Sequence, residues 1–203
     1  MEGGRSAKSL QLYTLHVQLQ HIRPAIWRRI EVEGTESLRK LHHILQAAFG
    51  WSNAHRHDFL IDDDTYAQLD IEAGLEFMDL DRTLDDRKAK VHKVLRPGFR
   101  MLYRYDFGDG WDHDIVVEKI ETIDREPWGV AQVIDGARAC PPEDVGGPPG
   151  YEVFLTALLD NPDSEEADHY RSWVGPGFDP ELFDIRAANA ALMRMASNRW
   201  GNR

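Results

Sequence analysis

The chain contains a single cysteine, Cys140, in 203 residues, so an internal disulfide framework cannot form. No apolar run approaches the ~20 residues needed to cross a bilayer, and a membrane span is not expected. Residues 1–10, MEGGRSAKSL, lack the roughly 7–15-residue apolar segment of a secretory signal. Together these absences predict a cytoplasmic protein that does not associate with membranes.

Positive charge is also scarce. Lysine and arginine number 24 against 35 aspartate and glutamate residues, which leaves a net charge of −11. An acidic protein repels the phosphate backbone of DNA and RNA at long range. A nucleic-acid partner is therefore not favoured, and no helix-turn-helix pattern argues for one.

Complete catalytic motifs are missing as well. Residues 106–108 read Asp-Phe-Gly, as in the magnesium-binding motif of protein kinases, but a glycine-rich nucleotide loop and a His-Arg-Asp run are absent. The neighbouring aspartates lack the spacing of an EF-hand calcium loop. The glycines of the 141–150 segment come without the lysine and hydroxyl of a phosphate loop and without dinucleotide-binding spacing. The sequence thus excludes these enzyme classes and indicates no organic cofactor.

The apolar content is sufficient for one domain. Hydrophobic residues make up 42% of the chain, and a protein of this length buries roughly 70% of the surface that its unfolded form exposes. We expect residues 1–9 to be disordered and residues 10–203 to form a single α+β domain with an antiparallel sheet. Strand patterns come mostly first, so residues 10–135 should be rich in sheet and residues 151–197 helical.

Local patterns place the individual elements. Two-residue alternation of apolar side chains predicts strands over 10–19 and 27–32. Apolar residues at three- and four-residue spacing predict one helix in this half, from Leu38 to Phe49, capped by Thr35 or Ser37 and ended by Gly50. The other expected elements are a strand over 55–61, a helical turn near Leu84, an edge strand over 130–134, and helices over 151–159, 164–174 and 185–196.

The strongest strand signal is an aromatic hairpin, expected at the centre of the sheet. Phe99–Phe107 and Trp111–Ile120 are rich in aromatic and β-branched residues. Between them lies the turn-forming sequence Gly108-Asp109-Gly110.

The register of this hairpin decides which side chains meet. A three-residue turn sets Tyr105 opposite His113 and gathers the apolar side chains on one face. The same register sets Asp106 opposite Asp112, and two facing carboxylates cost stability unless a cation or an arginine lies between them. A two-residue turn would pair Phe107 with Asp112 and spoil the apolar face, so the first register is preferred.

These carboxylates are the leading candidates for a metal site. Asp106, Asp109 and Asp112 would form an acidic pocket suited to a divalent metal or another cationic group. His55 and His57 are two residues apart, so on a strand they would share a face and could complete the metal shell. The alternative is that the aspartates are turn-forming, solubilising residues and that the histidines make structural hydrogen bonds.

Candidate catalytic residues lie around two loop sequences, YDFGDGW (105–111) and ACPPEDVGG (139–147). They are Asp106, Asp112, His113, Glu143, Asp144 and Cys140. An exposed Cys140 beside Arg138 could be an activated nucleophile. A lone cysteine at a strand end is, however, more often a small buried residue.

Five segments carry a family resemblance: RPAIWRRIEV (23–32), LHHILQAAFGW (41–51), YDFGDGWDHDIVVEKI (105–120), ARACPPEDVGGPPGYEVFLTAL (137–158) and FDPELFDIRAANAAL (178–192). They are similar to the Ri-plasmid open-reading-frame-three-like family, some of whose members are labelled TnpR passenger proteins of insertion elements. The resemblance implies an α+β fold in a protein carried at times on plasmids and mobile DNA. It implies no established activity. Val145 stands where a second cysteine is expected in some relatives, which argues against a two-cysteine site.

Two functions follow from these patterns. The first is a non-enzymatic binding or accessory module, in which the aromatic hairpin and the 141–150 loop form a surface for a protein partner. The missing catalytic motifs favour it. The second is a metal-dependent hydrolase or nuclease that uses the acidic and histidine cluster at the hairpin end, with Glu143 or Asp144 as ligand or base. This second function requires the candidate side chains to converge within a few ångströms.

Overall fold

The computed structural model describes residues 10–69, 83–124, 129–175 and 177–201, so the N-terminal segment expected to be disordered lies outside the described residues. Eight strands and five helices form in the described part. The strands are β1 (Leu10–Leu19), β2 (Trp27–Glu33), β3 (His57–Ile61), β4 (Asp64–Ala67), β5 (Thr83–Asp85), β6 (Arg100–Tyr105), β7 (Trp111–Ile123) and β8 (Ala131–Ala137). The helices are α1 (Leu38–Phe49), α2 (Val91–Val94), α3 (Gly147–Leu159), α4 (Glu165–Val174) and α5 (Ile185–Ser197).

The eight strands belong to one sheet, in the order β5-β4-β3-β6-β7-β1-β2-β8. Neighbouring strands are antiparallel except β4 and β5, which run parallel. A mostly antiparallel sheet with most helices in the C-terminal part confirms the expected α+β class. The expected helical turn near Leu84 is wrong, because Leu84 pairs with Tyr66 in the middle of β5.

One face of the sheet carries the core. Successive strand residues point to opposite faces, so the buried residues of β6 and β7 alternate with more exposed ones. α1 supplies Leu41, Ile44 and Leu45 to the core and also packs against α5. It has the bounds that the apolar spacing predicts. The Ser37 side chain accepts the Lys40 backbone N–H at its start, and Gly50 ends it with a φ of 97°.

The opposite face of the sheet carries paired charges. Arg29 on β2 contacts Glu118 at 2.7 Å and Asp135 at 3.0 Å. In another region of this face, Arg104 on β6 pairs with Asp58 on β3. An antiparallel sheet tolerates one polar face when its other face is packed.

The β6–β7 pair has a different register from the one expected. Tyr105 lies opposite Trp111, and Tyr103 lies opposite His113. Tyr103, Tyr105 and Trp111 point into the core as predicted, but Phe107, expected opposite Trp111 on the same face, is exposed. The two strands are offset by two residues from the expected register and joined by five, residues 106–110. Asp106 consequently has no cross-strand partner, and the predicted facing pair of Asp106 and Asp112 is wrong.

A side chain from α5 forms hydrogen bonds with the free edge of strand β8. Asn189 Oδ1 accepts the backbone N–H of Val133, and Asn189 Nδ2 donates to the Val133 carbonyl, both at 2.9 Å. These two groups face away from β2, so the amide occupies the position where another strand would pair. None of the helices in the described ranges is long and apolar enough to cross a membrane.

Candidate metal centre

The two loops that the sequence singles out meet at one end of the sheet. Asp109, in the connection between β6 and β7, accepts the backbone N–H of Gly146 through Oδ2 at 3.1 Å. Gly146 precedes α3, so this contact joins the tip of one loop to the start of the helix that follows the other. Trp51, which lies outside both loops, also contacts the second one: its indole N–H donates to the carbonyl of Pro141 at 3.1 Å.

His55 lies where the loops meet and faces three carboxylates. Its Nε2 is 3.2 Å from Asp144 Oδ1, 3.6 Å from Asp106 Oδ2 and 3.7 Å from Glu143 Oε2. This nitrogen is shielded from solvent, yet none of the three contacts is aligned as a hydrogen bond. The ligand atoms of His55, Asp106 and Asp144 lie within 4.8 Å of one another, close enough for the three side chains to contact one cation.

Asp106 and Glu143 are each fixed through one carboxylate oxygen and present the other oxygen to His55. Asp106 Oδ1 accepts the backbone N–H groups of Gly108 and Asp109, and the Asp106 side chain is only 10% exposed. Glu143 Oε1 accepts the N–H and hydroxyl of Ser52, at 2.7 and 3.0 Å. The remaining oxygens, Asp106 Oδ2 and Glu143 Oε2, point toward the same imidazole nitrogen.

The backbone at two of these positions is strained. Asp106 has a φ of 54° and Asp144 a φ of 58°, in the left-handed region that residues with a Cβ seldom occupy. Aspartate adopts this region more readily than most residues, and five other non-glycine residues in the described part of the chain also adopt it. The two strained aspartates come from different loops and contact the same histidine.

Tyr105 connects the loop of His55 to the loop of Glu143. Its hydroxyl accepts the Ala54 backbone N–H at 3.1 Å and donates to Glu143 Oε1 at 3.1 Å. Burial, followed by the nearby Glu143 charge, raises the pKa of Tyr105, so the hydroxyl stays protonated and able to donate. Trp51 stacks on the Tyr105 ring at 5.0 Å, which holds the tyrosine in place.

His57 lies in the core, apart from His55. The strand β3 begins at His57, so His55 is a loop residue and the predicted shared strand face does not form. His57 Nε2 contacts the fully buried Asp86 at 3.0 Å, and Asp86 also pairs with Arg39. The His57 ring is stacked on His42 with 3.4 Å between centroids.

Three other candidates also lie away from the cluster. His113 is fully buried in the core, where desolvation lowers its pKa to about 3. Asp112 lies opposite Arg104 on the polar face of the sheet, and partial burial raises its pKa. Burial raises the pKa of the Cys140 thiol well above its usual range, which is the reverse of an activated nucleophile.

The structure therefore brings together His55, Asp106, Glu143 and Asp144, and it gives Asp109 the different task of joining the loops. Ser52, Trp51 and Tyr105 support the cluster but are not apparent as site residues in the sequence. Serine and aromatic residues at loop ends are common, and no spacing rule links residue 52 to residue 143. Only the tertiary contact between the two loops reveals them.

Gly147 provides a test of how closely the loops must approach. A Cβ on Gly147 would lie 2.1 Å from the Asp109 carbonyl oxygen, and its φ is 68°. Gly147→Ala should lower the free energy of unfolding by about 3 kcal/mol, from backbone strain plus the clash. Gly110→Ala is the matched control, since Gly110 has a φ of 71° but open space around it, and it should cost only about 1 kcal/mol. Urea denaturation measures both. Equal losses would contradict a tight contact between the loops.

These features define a class of protein: an α+β fold whose loops bring one histidine and three carboxylates together at the end of a mostly antiparallel sheet. The chain belongs to the plasmid pRiA4b ORF-3-like protein family, whose model matches residues 11–187. This finding confirms the resemblance carried by the five sequence segments.

Known relatives extend over most of the chain. It is 35% identical over 184 residues to the uncharacterized protein y4hQ of Sinorhizobium fredii (strain NBRC 101917 / NGR234), covering 90% of this chain and 88% of that protein. A similar fold is found in the crystal structure of the protein of unknown function MM3350 from Methanosarcina mazei Go1. The TM-score is 0.75 at 32% identity, with 88% of this chain and 98% of that chain covered. The family is thus established, and these relatives are themselves of unknown function.

Proposed function

We propose that this protein binds one divalent metal ion between its two loops, through His55 Nε2 and the free oxygens of Asp106 and Asp144. The observation that carries the proposal is the shielded, unpaired Nε2 of His55 within 3.2–3.7 Å of three carboxylate oxygens. Three carboxylates in such proximity repel one another, and a dication between them would turn this repulsion into attraction.

The donor set narrows the choice of ion. One imidazole and two or three carboxylates, without sulfur, suit Mn²⁺, Fe²⁺ or Zn²⁺, whereas calcium sites are built from oxygen alone. Two carboxylates would also balance the charge of a dication. The 72% exposure of the Asp144 side chain leaves the site open on that side, so water or a substrate could occupy a further coordination position.

The test is a metal titration of the complete protein. Isothermal titration with Mn²⁺ and Zn²⁺ should show one site, and His55→Ala should weaken binding at least about 100-fold, because even outer-shell substitutions cost 10–100-fold. Asp144→Asn should also weaken it. Asp112→Asn is the control and should bind like the wild type, since Asp112 lies on the polar face of the sheet. Undiminished binding by His55→Ala would rule out this site.

A protein partner is a second proposal, supported by a separate surface. A groove of about 450 Å³ between β8 and α5 is lined by apolar side chains, including Val133, Ile134 and Met193. Met193 is 70% exposed and Ile134 38% exposed, and exposed apolar surface of this kind marks interaction sites. If the groove binds a protein partner, Met193→Asp should abolish that interaction. The measurement is copurification from the native host, with the recovered proteins identified by mass spectrometry. An unchanged set of copurified proteins would contradict it.

A further inference from the structure

We propose that Glu143 accepts the proton of a metal-bound water and that the site hydrolyses phosphate esters carrying a planar group. The inference rests on the proposed function, because it needs a dication held by His55, Asp106 and Asp144. It assigns Glu143 a different role from those ligands and adds a substrate class.

The position of Glu143 suits a proton acceptor better than a ligand. His55, Asp106 and Asp144 offer atoms within 4.8 Å of one another, and Glu143 is not a member of this group. A carboxylate that lies next to the coordinating atoms, without being one of them, can contact a water bound to the metal.

The support around Glu143 fixes its direction. Ser52 donates twice to Oε1, and Tyr105 donates once to the same oxygen. Both Ser52 donors contact Oε1 and the Tyr105 hydroxyl is shared with Oε2 at 3.3 Å, so Oε2 has the fewer donors and is the oxygen better placed to receive a proton. Donors that hold one carboxylate oxygen orient the other, as the partners of metal-site residues commonly do.

Side chains beside the ligands indicate the substrate class. Phe107 follows Asp106 directly and is 55% exposed. The Arg104 guanidinium lies 5.5 Å from that ring. Arg56 follows His55, is exposed, and accepts the Asp106 backbone N–H through its carbonyl. An exposed ring beside the Arg104 guanidinium, with the exposed Arg56 next to His55 in the chain, suits an anionic ester with a stacking group.

The chemical step is a hydrolysis with water as the only co-reactant. The metal-bound water gives one proton to Glu143 Oε2 while its oxygen forms a bond to phosphorus. The bond from phosphorus to the ester oxygen breaks, and the proton on Glu143 passes to the departing oxygen. The two products are an alcohol or phenol and a phosphate with one fewer ester bond, and no oxidation occurs.

The experiment uses the complete protein loaded with whichever of Mn²⁺ or Zn²⁺ it binds, and bis(p-nitrophenyl) phosphate as the substrate. The wild type should release p-nitrophenolate. Glu143→Gln should lower kcat by about 10²–10⁴-fold, the usual contribution of a general base, while its metal affinity stays within a few-fold of the wild type. Phe107→Ala should mainly raise KM. Asp112→Asn is the activity control, and thermal melting confirms that each variant is folded.

The outcomes separate this inference from the proposed function. If the wild type binds no metal, both ideas fail. If it binds metal but releases no p-nitrophenolate, or cleaves p-nitrophenyl acetate and not the phosphate, the hydrolytic inference fails and the metal site stands. If Glu143→Gln loses metal affinity as His55→Ala does, Glu143 is a ligand and its assigned role is wrong.

Discussion

Acidification from pH 6.5 to pH 4.5 should lower the free energy of unfolding by roughly 2 kcal/mol through the buried His113 alone, and the buried His42 should add to this loss. His113 is fully buried and its pKa falls to about 3 in the folded protein. His42 is also buried, and its pKa lies well below the ordinary value because of desolvation first and the neighbouring His57 second. His113 is therefore neutral in the folded protein throughout this range, and burial disfavours the charged form of His42 as well.

The sign follows from which state binds the protons. In the unfolded chain a histidine has a pKa near 6.5, so below that pH the unfolded state takes up protons that the folded state refuses. Stability is thus fully present above pH 6.5 and falls as the pH drops, by about 1.4 kcal/mol per pH unit for each histidine. Burial keeps these rings neutral, against the opposing effect of the Trp111 carbonyl that lies 3.0 Å from His113 Nδ1.

Urea denaturation at a series of pH values measures the effect. His113→Leu should remove about one proton from the difference between the unfolded and folded states, which lowers the slope by about 1.4 kcal/mol per pH unit well below pH 6.5. His169→Leu is the control, because His169 is exposed on α4, and it should leave the slope unchanged. A slope that is the same in His113→Leu and the wild type would show that another group governs acid unfolding.

Replacing Arg28 with methionine should cost about 4 kcal/mol of stability, since it leaves several buried carbonyls without donors. Arg28 is 2% exposed. Its guanidinium donates to four carbonyl oxygens, those of Ala48, Trp27, Ala137 and Arg138, at 2.8–3.1 Å. The planar group also lies 3.9 Å from the centre of the Phe183 ring. Burial lowers its pKa only to about 10, so the group is charged at neutral pH.

The neighbouring arginine provides a matched control. Arg29 lies on the same strand but on the polar face, paired with Glu118 and Asp135. Arg29→Met should cost less than about 1 kcal/mol, the usual value of an exposed ion pair. Thermal and urea denaturation of the two variants should therefore differ widely. Similar losses in both would mean that Arg28 does not hold β2, β8 and the end of α1 together.

Elements fixed by local interactions could be predicted from the sequence. α1 begins and ends where the capping Ser37 and the left-handed Gly50 place it, because both signals act within one turn of the helix. The inward-facing residues of β6 and β7 were also predictable, since alternation alone decides which face a side chain takes. The register of the β6–β7 pair could not be predicted from the sequence. Asp106 turns the chain by accepting the N–H groups of Gly108 and Asp109, which lengthens the connection to five residues.

The candidate cluster was predictable only in part. Asp106, Glu143 and Asp144 lie in the two loops that the sequence marks as unusual, and His55 was among the metal candidates. The sequence could not separate His55 from His57, because that distinction depends on β3 beginning two residues later than expected. Nor could the sequence show that Asp109 and Asp106 have different roles. Their different roles follow from the contact between Asp109 and Gly146, which joins segments 37 residues apart in the chain.

The amide of Asn189 has a consequence beyond α5. A sheet edge with free backbone groups is a template on which a second copy can add its own edge, and repetition of that step produces fibres. By engaging both the N–H and the carbonyl of Val133, one side chain imitates the backbone of a ninth strand. A second copy that paired along β8 would therefore have to displace this amide at Val133, which makes that step costlier beside the apolar groove.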